Sequence, residues 1–213
     1  MKRILSLAGC CLTLSVLGAS AQPPAEAGPF PIVNNDTTDP ILKPIFDAMK
    51  AKGAGPLNIH RVIGQAPEVY KGFAAFATAL RVPGATSRTD RELAILRTTQ
   101  LRGGEYEFIQ HRRIGLSCGL TEQQVDGLSD WKNKPFYSEQ QRLILRYVDS
   151  MVASGTVGDA TTLAMRQSFS PKAIVELTMT SAFYTAVVQF SRAVRIAPET
   201  VATTYATPAM DKP

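Results

Sequence analysis

The chain has 213 residues, of which 45% are hydrophobic and 19% charged, a composition typical of a folded globular protein rather than a disordered one. This length suits one domain with a sizeable core. The formal net charge is +5, but lysine and arginine are scattered along the chain. The sequence therefore lacks the concentrated basic footprint of a nucleic-acid-binding protein. A mild positive charge is compatible with an anionic small-molecule substrate.

The N-terminus has the three parts of a secretory signal peptide. Lys2 and Arg3 form a basic start, residues 4–18 are apolar, and Ala19-Ser20-Ala21 matches an A-x-A cleavage site. We expect residues 1–21 to be removed and the mature protein to be periplasmic or secreted. The apolar run is too short for a membrane span, and we expect no span later in the chain.

The three cysteines leave the mature protein without a disulfide pair. Cys10 and Cys11 lie in the predicted signal peptide, so only Cys118 remains. We interpret Cys118 as a buried residue at a helix end. An alternative for the N-terminus is a lipobox at Leu7-Ala8-Gly9-Cys10, which would make Cys10 a lipid anchor.

The rest of the sequence predicts an all-α protein, because it has helical periodicity and cap signals but no alternating strand pattern. We predict an extended N-terminal arm over residues 22–39, a helical domain over 40–197 and a C-terminal tail over 198–213. Residues 58–64 are predicted as a loop in which His60 is a surface or structural residue. Predicted helices cover 40–53, 67–80, 90–102, 105–118, 121–129, 138–154, 159–169 and 170–196. The last is the most apolar and is expected to be buried within the domain or between subunits.

Candidate chemistry is concentrated where two predicted helices meet. Gly103 and Gly104 separate these helices, and glycines here allow two helices to pack closely. Glu107 and His111 lie four residues apart on the second helix, so they share a face and can meet. Glu92 lies near the start of the first helix. Two carboxylates and one imidazole form a candidate acid–base set.

Simpler interpretations of these residues stay open. Thr89 to Glu92 match a capping box, in which Glu92 would only cap its own helix. Glu107 and His111 could form an ordinary solvated pair. No second histidine lies nearby, so a metal site with nitrogen ligands is not expected. The sequence also has no P-loop and no dinucleotide fingerprint.

The residues around this set resemble the carboxymuconolactone decarboxylase family. The segments are Arg91-Glu-Leu-Ala-Ile-Leu-Arg, Gly104-Glu-Tyr-Glu-Phe-Ile-Gln-His and Gly119-Leu-Thr. They are similar to the family's E-x-x-x-L helix, its Y-E-W-x-x-H motif and the glycine that follows. Phe108 stands where the family usually has tryptophan. The resemblance covers roughly residues 40–197, including a long closing helix.

The same superfamily contains the alkylhydroperoxidase D-like thiol peroxidases, whose signature is C-x-x-C-x-x-x-H with an upstream glutamate. Glu92 and His111 match the glutamate and the histidine, whereas Gly104 and Glu107 stand at the two cysteine positions. A disulfide-cycling peroxidase needs a nucleophilic thiolate and a resolving thiol. Cys118 matches neither position, so we disfavour a peroxidase.

The resemblance implies an alkylhydroperoxidase D-like helical bundle that assembles as a homotrimer or hexamer, with a pocket near the subunit interface. It implies a cofactor-free lyase, decarboxylase or isomerase acting on a small lactone or carboxylated compound. In that scheme His111 delivers a proton, Glu107 orients His111 or acts as its base partner, and Glu92 completes the relay. The substrate would be held by Tyr106, Tyr184, Arg88 and Arg97. A non-catalytic binding protein and a structural oligomer are the alternatives.

Overall fold

The structure is a computed structural model that describes residues 28–53, 55–81 and 84–199. Within these ranges it has nine α-helices, one 3-10 helix at Gly127–Asn133 and no strand, which confirms the all-α prediction. The helices are α1 Leu42–Ala51, α2 Asn58–Ile63, α3 Pro67–Ala79, α4 Arg88–Leu101, α5 Glu105–Ser117, α6 Glu122–Asp126, α7 Glu139–Ser154, α8 Asp159–Ser168 and α9 Pro171–Val194. The predicted signal peptide and the tail from residue 200 onwards lie outside the described residues.

Helix α4 lies at the centre of the domain and packs against α5, α7 and α9. Every residue from 90 to 99 is buried. Consecutive helical residues point about 100° apart, so neighbours on α4 reach different parts of the core. Leu93 and Leu96 join one apolar cluster, Ala94 a second and Ile95 a third. The helix that carries Glu92 therefore connects all three.

The start of α4 differs from the predicted capping box. Ser87 is the cap, since its hydroxyl accepts a hydrogen bond from the backbone N–H of Asp90 at 3.0 Å. The Thr89 hydroxyl donates instead to the backbone carbonyl of Cys118. Glu92 lies one turn inside the helix with no solvent exposure. The interpretation of Glu92 as a cap was therefore wrong.

The predicted break between α4 and α5 is confirmed, and it creates a close helix contact. Gly103 has a φ of +64°, a left-handed conformation that favours glycine. Gly104 lies against α9, where a Cβ would come within 2.3 Å of Val188 Cγ2. This close approach brings the first turn of α5 directly onto α9.

The predicted loop over residues 58–64 was wrong, because these residues form α2. The Asn58 N–H donates to Glu199 Oε1 at 2.8 Å, and the Ile59 N–H donates to the Tyr106 hydroxyl at 3.3 Å. Both partners are remote in the sequence, so the helix start has no local cap signal. Ile59, Val62 and other apolar residues of α2 are buried in the core.

The described part of the N-terminal arm packs on its own chain. Val33 and Arg61 exchange two hydrogen bonds of 3.0 Å, from the Val33 N–H to the Arg61 carbonyl and from Arg61 Nε to the Val33 carbonyl. Asp39 Oδ1 accepts from the N–H groups of Ile41 and Leu42 and so caps α1. The arm is therefore hydrogen-bonded to α2, and its last residues cap the N-terminus of α1.

Helix α9 is long and apolar enough to cross a membrane by length and composition alone, contrary to the expectation from sequence. In the structure it packs against α4, α5, α7 and α8. Its Ser181 hydroxyl lies 2.9 Å from the Thr98 hydroxyl of α4, and Thr180 and Ser191 are also buried. These contacts are those of a core helix, although Val175 and Met179 remain exposed.

Gly104→Ala should destabilise the protein by about 1–3 kcal/mol, because the added Cβ overpacks the contact with Val188. Urea unfolding measures the change. Gly72→Ala is the control, since a Cβ at this position in α3 meets nothing within 4 Å. That variant should gain up to about 1 kcal/mol from helix propensity. A Gly104→Ala variant as stable as the wild type would mean that the contact between α5 and α9 is not tight.

Candidate functional site

A cavity of about 150 Å³ is lined by residues of α1, α2, α3, α5 and α9 and their ends. This is the size of a cavity that can hold a benzene ring. Four lining residues carry chemistry, namely His60, Arg81, Glu107 and His111. Most of the remaining wall is apolar or aromatic, from Ile45, Met49, Leu57, Ile59, Tyr70, Phe73, Ala74, Ala77, Ile114, Phe183, Tyr184 and Val187.

His111 bonds to one member of an ion pair on α4, the carboxylate of Glu92, whose partner is Arg88. Its Nδ1 lies 2.7 Å from Glu92 Oε2, and the other oxygen of Glu92 pairs with the Arg88 guanidinium. Burial raises the pKa of Glu92, but His111 and Arg88 together outweigh that effect and leave the pKa below its usual value. The ionised carboxylate can only accept hydrogen bonds, so Nδ1 must carry the hydrogen. Nε2 makes no hydrogen bond to a described residue, and His111 lines the cavity.

The ring of His111 is also fixed from the side. It packs edge-on against Tyr184, with ring centroids 4.7 Å apart and planes at 82°. Tyr184 itself lines the cavity. The imidazole is thus restrained by a hydrogen bond at Nδ1 and by an aromatic contact, which leaves its orientation well defined.

Glu107 does not form the predicted pair with His111. Its Oε2 accepts a hydrogen bond from the Ser191 hydroxyl of α9 at 3.0 Å, and Glu92 takes the place beside His111. Glu107 Oε1 is buried without a hydrogen-bond partner among the described residues. Burial raises the pKa of Glu107 to about 7, although the Ser191 bond acts to lower it. Glu107 is therefore a second, separate group that can exchange a proton near neutral pH.

The structure brings only some of the predicted substrate-binding residues to the cavity. Tyr184 and Tyr106 line the cavity, but the Tyr106 hydroxyl donates a hydrogen bond to Glu199. Arg88 pairs with Glu92 and does not appear in the lining. Arg97 is also absent from the lining, and its guanidinium forms a two-pronged ion pair with Asp149 of α7 at 2.6 Å and 3.2 Å. Arg97 therefore contributes to packing between α4 and α7.

Two cavity residues, His60 and Arg81, were not singled out from sequence. His60 was predicted to lie in a loop, and Arg81 lies just past the end of α3. Burial, reinforced by the positive charge of Arg81, lowers the pKa of His60 to about 3. The imidazole is therefore neutral at ordinary pH. No local motif marks either residue, because their proximity depends on how α2 packs against α3.

The segment after α9 ties two walls of the cavity together. Glu199 accepts hydrogen bonds from the Asn58 N–H at 2.8 Å, from the Tyr106 hydroxyl at 2.7 Å and from Gln110 Nε2. Tyr106 and Gln110 lie on α5, whereas Asn58 begins α2. One carboxylate thus sets the distance between the wall that holds His60 and the wall that holds His111.

Cys118 lies at the end of α5 and is the one cysteine among the described residues. It is half-buried, and burial raises the pKa of its thiol. It does not line the cavity. Within the described ranges, no three His, Cys, Asp or Glu side chains come together as a metal site would require.

Comparisons with known proteins agree with this fold. The sequence model of the carboxymuconolactone decarboxylase family matches residues 67–149. An AhpD-core, peroxidase-related protein from Ralstonia eutropha superposes with a TM-score of 0.72 at 17% identity, covering 80% of this chain and 92% of that chain. An AhpD-related protein of unknown function from Agrobacterium tumefaciens gives a TM-score of 0.61 at 23% identity, covering 65% and 96%.

A third similar structure is the debrominase Bmp8 in complex with 2,3,4-tribromopyrrole, with a TM-score of 0.66 at 15% identity, covering 76% of this chain and 87% of that chain. A search of curated proteins gives no significant match. At these identities the structural matches establish the fold alone. The resemblance seen in the sequence is confirmed: residues 67–149 match the carboxymuconolactone decarboxylase family, and the described chain has an AhpD-like helical fold.

Proposed function

We propose that the protein is a cofactor-free acid–base enzyme that acts on a small lactone or carboxylated ring compound as a lyase, decarboxylase or isomerase. One observation carries this proposal: two separate proton-exchanging groups, His111 and Glu107, open onto the same ring-sized cavity. Glu92 orients the first, and burial tunes the second. This division of roles is typical of paired acid–base groups in enzymes.

The geometry favours a simple scheme. In a decarboxylation, the bond between the ring carbon and the carboxylate breaks, CO2 leaves, and the electron pair is delocalised onto a conjugated carbonyl. Glu107 in its acid form donates a hydrogen bond to the developing enolate oxygen. His111, oriented by Glu92, then gives a proton from Nε2 to the ring carbon. In an isomerisation, the same two groups remove a proton at one position and return one at another.

The comparisons support a single-ring substrate and acid–base chemistry. The family match points to carboxymuconolactone decarboxylases, and the debrominase Bmp8 is similar in fold and is seen with a five-membered ring compound. A thiol peroxidase is disfavoured, because Cys118 lies outside the cavity lining and burial raises the pKa of its thiol. The signal-like N-terminus supports a periplasmic or secreted enzyme.

A non-catalytic binding protein is the second candidate, and the observation that favours it is the apolar wall of the cavity. A preformed apolar cavity with a few polar groups is also how proteins simply hold a small ligand. Such a protein would keep its ligand affinity when His111 loses its proton chemistry. An enzyme would lose its rate.

We also propose that the chain assembles as a homo-oligomer, a trimer or hexamer, through an exposed face of α9. Val175, Met179, Ala182 and Ala186 recur at spacings of four and three residues and are all exposed in the single chain. Val175 keeps 60% of its surface exposed and Met179 keeps 40%. An apolar stripe with this period is typical of a helix that packs against another helix.

His111→Gln should lower turnover on a true substrate on the order of a hundredfold or more, because the variant cannot carry the transferred proton. Carboxymuconolactone and a panel of related lactones and aromatic acids would be tested, following CO2 release and product formation. Arg113→Gln is the control, since Arg113 is exposed on the same helix. Full turnover by His111→Gln would contradict the enzyme proposal. Binding without turnover by the wild type and both variants would favour the binding protein.

Glu107→Gln should flatten the pH dependence of stability between about pH 4.5 and pH 7. In the wild type the folded chain keeps a proton on Glu107 up to about pH 7, whereas the ordinary pKa is 4.5. The free energy of unfolding therefore falls as pH rises through this window, by up to about 3 kcal/mol, and levels off above it. Glutamine resembles the protonated form and should remove this fall.

Urea unfolding at several pH values, compared between the wild type and the variant, isolates the contribution of Glu107. Glu105→Gln on the same helix is the control, since Glu105 is exposed. Its profile should parallel that of the wild type. A Glu107→Gln profile that also parallels the wild type would mean that Glu107 titrates at its ordinary pKa.

Charged residues on the exposed α9 face should dissociate the oligomer. Sedimentation velocity would compare the wild type with the double variant Met179→Glu, Ala186→Glu, which should sediment as a monomer because a buried unpaired charge is costly. Leu163→Glu is the control, because Leu163 is equally apolar and 57% exposed but lies on α8. A double variant with the mass of the wild-type oligomer, or a monomeric wild type, would contradict the proposal.

A further inference from the structure

The lining of the cavity contains one arginine, Arg81, and no lysine. The charge of Arg81 helps to lower the pKa of Glu92, but the groups in contact with the Glu92 carboxylate are Arg88 and His111. The guanidinium of Arg81, in contrast, makes only one hydrogen bond to a described residue, from Nε to the backbone carbonyl of Ala77 at 3.0 Å. No carboxylate of the described ranges forms an ion pair with it, yet it lines the cavity. Its remaining donors are available to a ligand.

His60 adds a neutral polar atom to the same wall. Its Nδ1 is buried and has no hydrogen-bond partner among the described residues. An unpartnered buried polar atom is costly, and a ligand that bonds to it removes the cost. Arg81 and His60 line the same cavity, and the charge of Arg81 acts on His60. Their combined chemistry is one cation plus one neutral hydrogen-bonding imidazole.

The wall between His60 and His111 is aromatic and can accept a flat ring. Phe73 lies against Tyr70 with ring centroids 6.3 Å apart and planes at 28°, and against Phe183 at 5.3 Å. All three rings line the cavity. The other polar groups of the lining include Glu107 and His111, which belong to the proposed acid–base pair. A ligand can therefore place a ring on the aromatic wall and direct two different groups at two different polar sites.

We propose that Arg81 and His60 form the anion-binding end of the cavity and select a single-ring monocarboxylate, with the carboxylate on the Arg81 guanidinium. This inference rests on the proposed function for the acid–base role of Glu107 and His111. It assigns to Arg81 the carboxylate contact that the sequence suggested for Arg88 or Arg97. A neutral ring leaves Arg81 unpaired, and a second carboxylate finds no second arginine or lysine in the lining, so both should bind less well.

The test compares three furan probes by isothermal titration: 2-furoate, its neutral amide 2-furamide, and the dianion 2,5-furandicarboxylate. The wild type should bind 2-furoate at least about tenfold more tightly than the other two, since hydrogen bonds to a charged group are worth roughly that factor or more. Arg81→Gln should bind 2-furoate and 2-furamide about equally. His60→Leu should weaken 2-furoate severalfold. Arg113→Gln removes the same charge from an exposed site and should change nothing.

Circular dichroism and thermal unfolding would establish that each variant is folded. Arg81→Lys keeps the charge but not the guanidinium fork, so it should retain part of the preference for 2-furoate and provides a second reading should Arg81→Gln fail to fold. An equal affinity of the wild type for 2-furoate and 2-furamide would overturn the proposal. So would an undiminished preference in Arg81→Gln, or no binding of any probe by the wild type.

Failure of the proposed function would look different. A wild-type protein that prefers 2-furoate but turns over no lactone or acid would contradict the proposed enzyme and still support anion binding by Arg81 and His60. A protein that turns over substrate but shows no charge preference would support the enzyme and contradict anion binding by Arg81 and His60.

Discussion

A carboxylate with no solvent exposure, Glu92, lies on the most central helix of the domain. Taking a charge out of water costs several kcal/mol, so such a group persists only with well-placed partners. Arg88, one turn away on α4, supplies a cation, and His111 supplies a hydrogen bond from α5. The register between α4 and α5 is therefore tied to the orientation of His111, which lines the cavity. Packing and chemistry depend on the same contact.

The surroundings of Glu92 and Glu107 shift the pKa values of the two carboxyl groups in opposite directions. Glu92 has a cation and an imidazole, which lower its pKa in spite of burial. Glu107 has only the Ser191 hydroxyl, and burial raises its pKa to about 7. Environment thus separates Glu92, whose charged form is favoured and which contacts His111, from Glu107, which can exchange its proton near pH 7. In the structure Glu92 is the carboxylate beside His111, whereas the sequence suggested that Glu107 would orient His111 or act as its base partner.

Local signals explain what could be predicted from sequence. The break at Gly103 and the start of the helix predicted at residue 138 depend on nearby residues, and both appear in the structure, where Ser138 and Gln141 form a capping box at the start of α7. The start of α2 depends on Glu199, which lies 141 residues from Asn58, and no local pattern can show that. Likewise, i,i+4 spacing placed Glu107 and His111 on one helix face, but which carboxylate reaches His111 depends on how α4 packs.

The two ends proposed for the cavity constrain each other. A carboxylate paired with Arg81 is stabilised in the ground state, and losing it as CO2 would first break that ion pair. Interactions that hold the substrate more strongly than the transition state slow the chemical step. A carboxylate held there is therefore better suited to be retained than to leave. With a monocarboxylate substrate, the bond within reach of His111 and Glu107 is then a ring C–H, which favours proton transfer and isomerisation over decarboxylation.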